Sequence, residues 1–133
     1  MSAQEPVPPD TWRPPPEACE EWGHTAELPE AAGGRNRVKV RLVQLVRTAR
    51  IVEFAIIQQT LYRGRWRDVA SADTCHDHDA HFHRYARSTG TRVGEPEHLR
   101  PIASLEDVGK CYEVSYERVV EEWEANLRRW RDS

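Results

Sequence analysis

Four of the chain's six histidines fall in one run, Asp73-Thr74-Cys75-His76-Asp77-His78-Asp79-Ala80-His81-Phe82-His83-Arg84-Tyr85. Imidazole has a reference pKa of about 6.5, so it holds both protonation states near neutrality and is also the commonest metal ligand. If Asp79 to Tyr85 is extended, His81, His83 and Tyr85 share one accessible face, while Ala80, Phe82 and Arg84 share the other and Phe82 meets the core. The two imidazoles then leave the backbone about 6.6 Å apart, a spacing at which they could grip one ion or one phosphate together.

Two chemistries suit that pattern. In one, His81 and His83 ligate a divalent metal, with Asp73, Asp77 or His76 as third ligand. In the other no cofactor is needed. One neutral and one protonated histidine act as base and acid on an RNA 2'-hydroxyl and the departing 5'-oxygen, oriented by Asp73 and His76. Arg84 or Arg67 would stabilise the developing charge and Tyr85 would position it. A third reading stays open, because Asp77 and Asp79 would raise neighbouring histidine pKa values and so favour a charged, hydrogen-bonded loop or a binding surface.

Charge is segregated along the chain although the net value is only -3. Residues 1–34 carry seven acidic side chains against Arg13 alone, whereas 35–103 carry thirteen basic against seven acidic. Between Arg35 and Arg67 the only acid is Glu53. A polyanion such as RNA could bind there, through Arg41, Arg63, Arg65, Arg67 and Arg84. Alternate charges on a solvated sheet face would look the same. The acidic front segment could fold back as an electrostatic cover.

These residues need a scaffold. Residues 1–34 are rich in Pro, Glu, Ala and Gly, a composition that predicts a disordered acidic tail, with Trp12 and Trp22 as its only large anchors. Residues 35–133 then form a single α+β domain. Alternation predicts a strand from Val38 through Val46, a turn at Thr48-Ala49-Arg50 and a strand over Ile51 to Tyr62. A hairpin loop at Arg63-Gly64-Arg65 follows, then strands from Trp66 to about Ala72 and from about Asp79 to Arg87. Short connections favour an antiparallel meander of about four strands. Ser88 to Pro101 reads as a loop. Beyond a capping box at Ser104 to Asp107, apolar steps of three and four from Leu105 to Trp130 predict one long C-terminal helix packed on the sheet. A helix of that length could overhang the sheet at Trp123 and Trp130 and support a homodimer.

Scattered cysteines (Cys19, Cys75, Cys111) and the lack of a membrane-length apolar run point to a cytoplasmic protein with reduced thiols and no membrane partner.

A tryptophan-containing hairpin, then an aspartate, a histidine three residues on, His-x-His and a closing helix resembles the TumE-like type of small prokaryotic toxin. It is also similar to a related uncharacterised group of small bacterial proteins with a Trp…Val…Asp-Thr-x-His pattern and a Trp-Glu late in the helix. The matching positions are Trp66, Val69, Asp73, Thr74, His76, His81, His83, Trp123 and Glu124, within roughly Val38 to Arg131. The toxin-like proteins tend to carry Asn-Ala-Pro where this chain has Thr74-Cys75, and their histidines are more widely spaced. The resemblance implies RNA-directed action and a cognate antitoxin-like partner. The favoured expectation is therefore a toxin-like ribonuclease with His81 and His83 as acid/base pair. A non-enzymatic interaction module and a metal-dependent hydrolase are the alternatives.

Overall fold

The computed structural model describes residues 12–31, 34–74 and 79–133. Six strands form one antiparallel sheet in sequential order: β1 (Cys19–Ala31), β2 (Gly34–Leu45), β3 (Ile51–Tyr62), β4 (Arg65–Asp73), β5 (Asp79–Arg84) and β6 (Glu97–Pro101). Two helices follow, α1 (Leu105–Tyr116) and α2 (Trp123–Arg131), joined by a π turn at Glu117–Glu121.

The central strands follow their side-chain alternation. In β3, Val52, Phe54, Ile56, Gln58 and Thr60 are buried in strict period two, so every second residue faces the helices. Register carries that face into β2 through Val38, Val40 and Leu42 and into β4 through Ala72. A bulge opposite Gln58 and Gln59 inserts Val69, which is why Val69 to Ala72 are buried in succession. Arg63 and Gly64 both have positive φ, 53° and 76°, the pair of left-handed residues that a two-residue hairpin turn requires. Against this face pack Val108, Cys111, Val119, Leu127 and Trp130, all within 4% of full burial. Burying side chains of this size contributes roughly 1.5–3 kcal/mol each.

Three expectations are corrected. The sheet has six strands, not about four. One extra strand, β1, comes from the stretch read as a disordered tail, and residues 1–11 and 32–33 of that stretch lie outside the described residues. β1 is mostly exposed on both faces, so no apolar alternation announces it; main-chain pairing with β2 holds it, from Cys19 opposite Leu45 to Ala31 opposite Gly34. The other, β6, lies in the stretch read as a loop.

The third correction concerns the single long helix, which is two. At the break, the Glu122 N–H donates to the Glu117 carbonyl five residues back, leaving the Arg118 carbonyl without its helical donor. The Asn126 amide supplies one, donating to Arg118 O at 2.9 Å and also to Gln58 Oε1 at 3.1 Å. Gln58 in turn donates to the Trp123 carbonyl at 2.8 Å. A buried amide pair thus stabilises the break and ties it to β3. Beyond it, Trp130 is buried within its own domain, edge-on to Tyr62 at 5.5 Å. Among the described residues no helix is long and apolar enough to cross a membrane.

Candidate metal centre

The face of β5 turned away from the helices carries Asp79, His81 and His83. Strand register sets Ser71 opposite His83 and Asp73 opposite His81 on β4, and His98 opposite His81 on β6. Thr74 fixes the end of β4: its hydroxyl accepts from the Phe54 N–H at 3.1 Å, and its own N–H donates to Phe54 O. Phe82 points to the opposite, core face, as its alternation with the histidines requires.

Each imidazole faces a carboxylate. His81 Nε2 lies 2.6 Å from Asp79 Oδ1, and the other oxygen of Asp79 meets His98 Nδ1. The rings of His81 and His98 sit edge to face at 4.7 Å between centroids. His83 faces Asp73, with Nε2 to Oδ2 at 3.6 Å, beyond hydrogen-bond length but within ion-pair range. Burial lowers the His83 pKa from its ordinary 6.5; Asp73 opposes the shift, while Arg92 and His81 add to it. Tyr85 and Ser71 share a hydrogen bond of 3.1 Å between their hydroxyls.

Asp79, His81 and His98 form a donor set that could hold a metal: their ligand atoms all lie within 4.8 Å of one another. An ion bonded at ~2.0–2.2 Å to imidazole nitrogen and carboxylate oxygen needs its donors roughly 3–4 Å apart, so this spacing closes with small side-chain rotations. The set has an inner wall and an open mouth. The His81 side chain is 7% exposed and that of His98 72%. Glu97, beside His98, accepts from Arg118 Nη2 at 2.8 Å and Nε at 3.1 Å, which clasps β6 to the π turn. Arg118 also covers the Phe82 ring at 4.5 Å.

The sequence-derived candidates separate into groups. His81 and His83 share a face, their centroids 6.1 Å apart, yet each turns to a different carboxylate and both are nearly sealed, at 6% and 3% exposure. The accessible pair expected from sequence is therefore a shielded one. Asp73 serves His83 and Tyr85 serves Ser71. His76 and Asp77 lie outside the described residues. Of the arginines, Arg41 pairs with Glu21 at 2.9 Å, and Arg84 lies over Phe82 and 3.8 Å from Glu97. Arg67 donates to the Arg87 carbonyl, and Arg65 is exposed at the hairpin. Arg63 and Arg67 alone come together, both over Tyr62. His98 was not among the candidates; its one signal in the sequence is that it lies outside the cluster as a histidine beside a charged residue, Glu97.

No protein-family model matches the chain, and neither a curated protein nor a solved structure matches it.

Proposed function

We propose that this protein is a metal-dependent hydrolase whose divalent ion is held by Asp79, His81 and His98. The observation that carries the reading is one carboxylate placed between two imidazoles, one anchored inside the domain and one at its surface. Two histidines and one carboxylate suit zinc and leave further coordination positions open, as catalytic rather than structural sites do. When bound, such an ion polarises a substrate oxygen and acidifies a water. The chain's own part is to hold His81 rigid through β5, to hold His98 through the Glu97–Arg118 clasp, and to set the Asp79 carboxylate between the two rings.

Hydrolysis of bis(4-nitrophenyl) phosphate and of 4-nitrophenyl acetate, with the protein stripped by EDTA and then given one equivalent of zinc, tests this. Zinc should restore turnover, and His98→Ala should lower it about 100-fold. Absence of zinc-dependent turnover on both substrates would overturn the hydrolytic reading.

One observation favours a second reading. His81 with Asp79 and His83 with Asp73 are two neighbouring imidazole–carboxylate pairs, the parts of a metal-free acid/base ribonuclease of the toxin-like kind. RNA cleavage that survives EDTA and is lost in His83→Ala would favour it over the metal site.

A further inference from the structure

At the other end of the sheet, on the helix side, lies a cavity of about 320 Å³. Arg63 of the β3–β4 hairpin, Arg87 after β5 and Arg131 of α2 line it, together with Tyr62, Leu127 and Trp130. Arg63 caps the Tyr62 ring at 5.2 Å, and no carboxylate among the described residues lies within ion-pair range of Arg63, Arg87 or Arg131. Three arginines lining one hollow repel one another unless an anion is shared among them. The nearest acid in sequence, Asp132, lines an adjacent hollow with Arg87, Arg128 and Arg131.

Trp130, 2% exposed, closes the apolar side of this wall beside Tyr62, and its indole Nε1–H is sealed within the wall.

We infer that this cavity binds a phosphate monoester of roughly mononucleotide size, its oxygens shared by Arg63, Arg87 and Arg131. Planar, multidentate guanidinium donors match a group with several charged oxygens better than a single carboxylate. The volume lies at the lower end of small-ligand pockets. The site is distinct from the proposed metal centre: β4 is nine residues long from Arg65 to Asp73, which spans about 26 Å, and the histidines occupy the opposite face of the sheet.

Calorimetric titration of the full chain at low salt, with EDTA present, tests this using inorganic phosphate, adenosine 5'-monophosphate and adenosine. Both phosphate probes should bind, adenosine should not, and affinity should fall as salt is added. Arg87→Gln and Arg131→Gln should each weaken binding about tenfold. Thermal melts would establish that each variant is folded. Absence of saturable binding of either phosphate probe below ~10 mM, or binding unchanged in the Arg87→Gln, Arg131→Gln double variant, would overturn the inference. Because EDTA is present throughout, failure here leaves the zinc reading intact, and failure of that reading leaves this one intact.

Discussion

Asp79 occupies the pivotal position at the residue scale, since its two carboxylate oxygens face different imidazoles. Asp79→Asn keeps the size and removes the charge; it should weaken zinc binding by roughly 100-fold in a competition titration with a chelating dye, and an unchanged affinity would exclude Asp79 as a ligand. Cys111 lies at the other chemical extreme. Burial pushes its thiol up to about 11, and its S–H faces the Arg100 carbonyl at 3.6 Å. The thiol should therefore resist Ellman's reagent at pH 8 in the folded protein and react once the chain is unfolded. Because the folded pKa lies above the unfolded one, its contribution to stability is whole below pH 9 and is lost as pH rises from 9 toward 11. A denaturation midpoint that falls over that window in wild type but not in Cys111→Ala checks the sign. His81 was legible in the sequence because His-x-His on an extended segment must place both rings on one face. His98 was not: β6 is five residues long and ends in proline, too short for alternation to be told from a loop.

At the scale of elements, the break between α1 and α2 rests on polar contacts that periodicity does not reveal. The stripe of Tyr112, Tyr116, Val119, Trp123, Leu127 and Trp130 keeps steps of three and four across it, so the pattern of one helix persists through a π turn. What marks the break is Gln58, a polar residue at a core position of β3, answered by Asn126. Asn126→Ala should destabilise the fold by about 1–3 kcal/mol, because it leaves the Arg118 carbonyl and Gln58 buried without that partner. In a double-mutant cycle with Gln58→Ala, measured by urea denaturation, the two losses should fall short of adding; strict additivity would separate the two amides. β3, by contrast, was legible to its ends, because one face is buried and the other is not, and a strand so placed must alternate.

Across the whole molecule, the acidic front of the chain is the partner of its basic middle. β1 lies antiparallel to β2 and sets Glu21 on Arg41 and Glu27 on Arg35, while Arg13 reaches Glu53 at 2.6 Å. Composition identified the charge segregation but not its form, since a strand held by main-chain pairing leaves little trace in side-chain pattern. Removing residues 1–31 would free Arg35 and leave Arg41 facing only Glu53 at 3.9 Å, and it takes away more acidic than basic side chains, so the shortened chain should elute from heparin at higher salt than the full chain. Equal elution would show that β1 does not mask charge.

The proposed metal centre depends on the same architecture, because only a sheet that continues past β5 into β6 brings His98 to Asp79 and His81. The most direct test is the zinc content of the purified chain after loading and desalting, read beside His98→Ala. One equivalent per chain in wild type, lost in the variant, is the predicted result. Content far below one in wild type, or one equivalent retained without the His98 imidazole, would contradict the assignment.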